Sequence, residues 1–243
     1  MIELNGNNLT LDKLRQISEG KKVSVSPETI ERVSQCRKIV DKLVSDERVV
    51  YGVTTGFGHL CNTRIGTGDI ERLQTNLLRS HATGVGDPFS RSEVRGMMAI
   101  RINSLLQGVS GVRPEIIHGL IDLLNHNVVP WVPQKGSVGS SGDLAPLSHM
   151  ALVLIGEGET IGENGQQIPA NESLKKAGLT PLKLQAKEGL ALINGTGAMT
   201  SVLGLSLHRG LQISCSADII ASLTLDVMRG SLDPFDADFI SLR

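Results

Sequence analysis

From Ala198 to Met228 the chain has no proline and almost no turn chemistry. Apolar residues recur along it at Val202, Leu205, Leu211, Ile213, Ile219, Ile220, Leu223, Leu225 and Val227. The pattern predicts one helix, longer than globular helices usually run. Its apolar positions go most of the way round, which predicts burial on several sides and makes a helical bundle its natural setting. Because Arg243 follows soon after, the partner helices are expected from other subunits or from sequence beyond this chain.

The rest of the core must be aliphatic. The chain is 40% hydrophobic but only 2% aromatic, so it offers no stacking platform for single-stranded nucleic acid. A net charge of -1 leaves no electrostatic footprint for nucleic acid or an anionic membrane surface. With 243 residues, one large domain or two small ones can bury a core. Cys36, Cys61 and Cys215 are scattered, with no CxxC spacing, and the histidines show no HExxH pattern. Reduced thiols, a cytoplasmic location and no metal are expected. No signal peptide is visible, and no uninterrupted apolar run reaches the roughly 18 residues of a membrane span. Tyr51 is the single tyrosine, so any chemistry that needs a phenol has one candidate.

Residues 1–25 read as short strands and turns, with strands near Met1–Leu4 and Lys21–Val25. Ser26 followed by Pro27 marks a helix start, and apolar spacing carries that helix to Ser45. Further helices are predicted over 70–81, 91–107, 114–125 and 144–155, a hairpin over 157–169, and short helices over 173–178 and 187–191. Two glycine-dense loops lie between them, Gly52–Gly58 and Gly136–Gly142.

The second loop, Gly136-Ser-Val-Gly-Ser-Ser-Gly-Asp143, is the densest chemical feature. Three glycines at spacing three permit backbone conformations closed to other residues. One reading is a loop-to-helix junction in which Asp143 caps the following helix, with Pro146 in its first turn. A second is a Gly/Ser phosphate loop of a nucleotide-binding kinase, although neither a Walker lysine nor GxGxxG is present. A third uses Ser140-Ser141-Gly142 itself. In a compressed turn the Gly142 nitrogen can attack the Ser140 carbonyl carbon. Loss of water and of the Ser141 hydroxyl then leaves an imidazolone ring with an exocyclic methylidene. Glycine suits the nucleophile position because it is unhindered, and the middle residue must carry a β leaving group.

The loop and its continuation, GSVGSSGDLAPLSHMALVLIGEGE, resemble the signature of the aromatic amino acid ammonia-lyases and aminomutases, which build 4-methylidene-imidazol-5-one (MIO) from an Ala-Ser-Gly triplet. Here Ser140 replaces the alanine. Tyr51-Gly-Val-Thr-Thr-Gly-Phe-Gly58, Leu77-Leu-Arg-Ser-His-Ala82, Arg101-Ile-Asn-Ser104, Val129-Pro130 and Glu188-Gly-Leu-Ala-Leu-Ile-Asn-Gly-Thr196 are also similar, in the same order. The resemblance implies that Ser140, Ser141 and Gly142 form MIO, without metal or pyridoxal phosphate, and that Tyr51 removes the substrate β-proton. An ordinary phenol titrates near about 10, so that role needs a neighbouring positive charge or donor. Asn194 is implied to orient the substrate carboxylate or the MIO carbonyl; an ordinary Asn-Gly turn is its alternative. Ser80-His81 resembles the pair of the histidine enzymes, which points to L-histidine as substrate and trans-urocanate as product. A structural histidine is the other reading. Leu190 is placed along the pocket, and His149 is expected only to pack near it.

The implied fold is mainly α: an MIO-type head domain with small β elements over 1–197, then the first long helix of a central bundle over 198–243. Homotetramers are the family's assembly, with each active site built from three subunits. The family's later segments supply an arginine, a second tyrosine and a glutamate that have no counterpart here. A non-catalytic assembly homologue is the remaining alternative. We predict little lyase activity from the 243-residue chain alone. Urocanate formation measures this, and robust turnover would contradict it.

Overall fold

Serine, threonine and proline decide where the helices begin. The computed structural model describes residues 1–56, 65–139 and 141–242. Helix α1 (Leu11–Ser18) starts at Thr10, whose hydroxyl accepts the Lys13 amide. Helix α2 (Pro27–Ser45) starts at Ser26 with proline in its first turn, as the sequence predicts. Helices α3 (Ile70–His81) and α5 (Pro114–Asn125) match their predicted spans. Helix α4 (Arg91–Leu105) opens on a reciprocal capping box between Ser90 and Glu93. The predicted strand-and-turn reading of residues 1–25 missed α1. It spans only eight residues, too few for a helical period to stand out, yet Leu14 and Ile17 bury one face.

Three two-stranded sheets brace the helices. Strand β1 (Ile2–Glu3) pairs in parallel with β2 (Val23–Ser24). Strand β3 (Val85–Pro88) runs antiparallel to β4 (Pro133–Lys135), a pairing the sequence did not announce. Strands β5 (Glu159–Ile161) and β6 (Gln167–Pro169) form the predicted hairpin. Helix α6 (Leu144–Leu154) lies in the aliphatic core with Leu147, Met150 and Val153 inaccessible, beside Met97 and Ile102 of α4 and Ile117 of α5. Helices α7 (Ala170–Ala177) and α8 (Glu188–Ile193) follow.

Helix α8 is held by its first residue. The Glu188 carboxylate is fully buried and accepts from the Gln185 amide (2.7 Å), the Arg113 amide (3.0 Å) and the Arg113 guanidinium (2.8 and 3.0 Å). Arg37 stands 3.6 Å away. Hydrogen bonding to this carboxylate raises the pKa of Arg113. On the α3 side the Gly189 amide donates to Gln74 Oε1 (2.9 Å).

Contacts divide the chain into Met1–Leu205 and Ser206–Arg243, a boundary that falls within α9 (Gly197–Val227) rather than at its start. In the first unit, Gly197, Ala198, Ser201, Gly204 and Leu205 of α9 are buried. The Ser201 hydroxyl donates to Glu93 O (2.7 Å), and a Cβ on Gly96 would collide with it. The second unit holds the remainder of α9, a 3-10 turn at Asp233–Phe235 and α10 (Ala237–Ser241). There Leu211, Ile213, Ile219, Ile220, Leu223 and Val227 are exposed in this chain; their burial was expected against helices from elsewhere. The stretch Glu188–Val227 is long and apolar enough, by length and composition, to cross a membrane, although no uninterrupted apolar run in it reaches 18 residues. The segment between α8 and α9 interrupts its helix, and it carries Arg209, Asp218 and Asp226.

Removing one partner of a buried ion pair leaves an uncompensated charge. Glu188→Ala is therefore expected to cost about 3–5 kcal/mol of unfolding free energy. Urea unfolding monitored by circular dichroism reads this directly.

Candidate active site

Two glycine contacts assemble the region around the Ser-Ser-Gly loop. The first is at Gly195, between α8 and α9. A Cβ on Gly142 would overlap the Gly195 carbonyl, so only glycine fits there, and its φ of +86° also favours glycine. The Asp143 amide donates to the same carbonyl (2.7 Å). Asp143 sits at the N-cap position of α6, but its carboxylate does not cap that helix as the sequence suggested. Oδ2 instead accepts the Met199 amide (2.9 Å), satisfying one of the free amides at the start of α9. The loop is thereby fastened to the α8–α9 junction from both sides of Gly195.

The second contact is at Gly84. A Cβ on Gly136, the first glycine of the loop, would crowd the Gly84 Cα at 2.9 Å. The Gly84 amide donates to Nε2 of His149 on α6 (3.0 Å). Gly84 lies between the end of α3 at His81 and the start of β3 at Val85, so this segment of the chain meets the loop's first glycine. His149, expected only to pack near the loop, hydrogen-bonds the Gly84 backbone amide.

Ser141 is exposed and has a positive φ of 58°, an unusual conformation for a residue with a side chain. Gly139 is also left-handed, at +68°. Ser140 lies outside the described residues. Asn194 is exposed next to Gly195, and its amide donates to Leu190 O (3.0 Å), so Leu190 and Asn194 are fixed on the same short helix. His81 is half-buried. Its Nδ1 lies 2.9 Å from Leu77 O and 3.0 Å from Ser80 Oγ. A carbonyl only accepts, so Nδ1 carries the proton and a neutral ring keeps its lone pair on Nε2. Ser80 donates to the same Leu77 carbonyl (3.0 Å).

Tyr51 is exposed at the start of a turn anchored by Val53, which packs with Val40, Ile70 and Ala186. The Gly52 amide donates to Thr55 Oγ1 (3.3 Å), and the Thr54 hydroxyl to Arg48 O (2.5 Å). Phe57 and Gly58, the end of the predicted tyrosine loop, lie outside the described residues. The structure thus sets the Ser141-Gly142 turn against Gly195, next in the chain to Asn194 and the short helix of Leu190, and sets Gly84, which follows His81 in the chain, against Gly136. Tyr51 stands on a separate element. Sequence reasoning assigned no role to Gly84, to the Asp143 carboxylate at α9, or to Arg101, whose Nη1 a Cβ on Gly195 would strike. Among the described residues, no cluster of His, Cys, Asp and Glu could hold a metal ion.

A left-handed Ser141-Gly142 turn thus lies against Gly195, within the stretches that carry the family resemblance. Comparison with known proteins agrees, since the sequence profile described as aromatic amino acid lyase matches residues 9–243. The chain belongs to the aromatic amino acid lyase family. It is 47% identical over its whole length to histidine ammonia-lyase of Bacillus thuringiensis (strain Al Hakam), covering 48% of that protein. It spans about half the length of the curated relatives it matches. Among solved structures, histidine ammonia-lyase from Trypanosoma cruzi superposes with a TM-score of 0.91 at 36% identity, over 100% of this chain and 47% of the other. Tyrosine aminomutase from Streptomyces globisporus gives 0.91 at 39% identity, over 98% and 44%. The mainly helical fold is that of the family.

The Gly84–His149 bond makes the lyase loop sensitive to acid. Burial lowers the His149 pKa. The folded state therefore favours the neutral ring more than the unfolded chain does, and its stabilisation is present above the unfolded histidine value of about 6.5. It is lost as pH falls from there toward the lower folded value. Unfolding midpoints between pH 7.5 and 5 should drop in the wild type and drop less in His149→Gln.

Proposed function

We propose that this protein is a histidine ammonia-lyase, eliminating ammonia from L-histidine to give trans-urocanate. The observation that carries this reading is the 47% identity, over the entire chain, to relatives named histidine ammonia-lyase. The Gly/Ser-loop kinase reading draws no support from any matched relative cited above.

The site fits an MIO group. Ser141 and Gly142 already hold left-handed conformations, and the space where a Gly142 Cβ would stand is taken by the Gly195 carbonyl. Ser140, Ser141 and Gly142 would provide the ring, which supplies an electrophile for the substrate amino group. The other residues bind and move protons. Asn194 presents its carboxamide beside the turn, where it can donate to the substrate carboxylate. His81, with its proton on Nδ1, offers the Nε2 lone pair to an imidazole N–H of the substrate. Leu190 gives the pocket an apolar wall. Tyr51 takes the β-proton.

Ser141 and Asn194 are exposed in this chain, and elimination needs a site from which water is excluded. A homotetramer supplies that cover in this reading. The exposed apolar residues of α9 support it, because such a surface suits packing into a helical bundle.

Intact-mass spectrometry tests the chemistry. The wild type should weigh less than its sequence by two water molecules, and Ser141→Ala should not. A full-mass wild type would favour a non-catalytic homologue. In the active assembly, Tyr51→Phe should keep the mass deficit but lower urocanate production by roughly 10²–10⁴-fold.

A further inference from the structure

Among the described residues, three arginines are buried, and two of them are fully engaged. Arg37 donates to Asp41, Gln185 Oε1 and the carbonyls of Gly111 and Ala186. Arg95 donates to the carbonyls of Ile17, Lys21 and Leu124 and to Asn127 Oδ1. Arg101 differs. It is only 5% exposed, and its Nε is sealed from solvent with no hydrogen-bond partner. No hydrogen bond or ion pair to it occurs among the described residues. Burial lowers its pKa to about 10, so the guanidinium is still charged at neutral pH.

An uncompensated buried charge is costly, and its location gives the reason to keep it. Nη1 is pressed against Gly195 so closely that a Cβ there would collide with it. The carbonyl of the same Gly195 meets the Gly142 turn and accepts the Asp143 amide. One glycine residue separates the cation from the turn.

We propose that Arg101 is a positioning residue for ring closure: acting through Gly195, its positive charge, unpaired among the described residues, stabilises the negative charge that builds on the Gly142 nitrogen as it attacks. This rests on the reading that the ring forms. In the closure, a bond forms between the Gly142 nitrogen and the Ser140 carbonyl carbon. The Ser140 oxygen leaves as water with the amide hydrogens of Ser141 and Gly142, and the Ser141 hydroxyl leaves with its α-hydrogen as the second water. No oxidant or co-reactant is consumed. Negative charge develops transiently on the Ser140 oxygen and the Gly142 nitrogen, and a fixed cation in a dry site lowers that barrier without reorganising.

The test follows intact mass over time after cell-free synthesis of the chain, alongside thermal unfolding. Arg101→Met should lose its two waters roughly tenfold or more slowly than wild type. Its melting temperature should be unchanged or higher, because an unpaired buried charge has been removed. Arg101→Lys keeps the charge and should recover most of the rate. A merely structural arginine would give the opposite pattern: a lower melting temperature in Arg101→Met. That result overturns the inference, as does dehydration of Arg101→Met at the wild-type rate. A wild type that keeps its full mass overturns the function proposed above and this inference with it.

Discussion

Everything around the candidate site depends on one close approach, that of the Gly142 turn to the carbonyl of Gly195. A side chain at Gly142 would push the two segments apart, and with them the Asp143 amide from its acceptor. Glycine at 142 lets two backbones pack at a distance that a side chain forbids, and glycine at 195 leaves room for the Arg101 guanidinium. The consequence is chemical as well as steric. The turn is held in left-handed conformations at Ser141 and Gly142 by contacts made elsewhere, so its strain is maintained by the α8–α9 junction and not by the loop itself.

Buried charge is treated in three ways around that junction. Glu188 is surrounded by donors and pins α8, which carries Leu190 and Asn194. Asp143 spends its carboxylate on the first amides of α9, where the helix dipole also favours a negative charge. Among the described residues Arg101 has no such partner. The first two arrangements stabilise the scaffold, whereas the third costs stability beside the one turn where negative charge would develop. Rules of local consistency are expected to fail at functional sites, and Arg101 is where they fail here.

Helix α9 has two characters along one length. Its first turns bury small residues, Gly197, Ala198, Ser201 and Gly204, which let α4 and α1 come close. Beyond Leu205 its apolar side chains face outward in this chain. The uniform apolar pattern in the sequence does not distinguish these halves, because hydrophobicity reports a demand for burial and not the identity of the neighbour that meets it.

The sequence by itself determined most helices, the β5–β6 hairpin and the positions of the chemical groups. Those follow from local causes: serine and proline at helix starts, apolar spacing of 3.6, and glycine where φ must be positive. Short α1 and the β3–β4 ribbon escaped, since eight residues and strands of four and three residues carry too little periodicity. Tertiary structure alone decided which groups meet. It sent the Asp143 carboxylate to α9 instead of α6 and made Gly84 the link between His149 and the loop. It also left Arg101 buried against Gly195 without a partner among the described residues. Those outcomes depend on contacts between residues far apart in the chain, which no local pattern encodes.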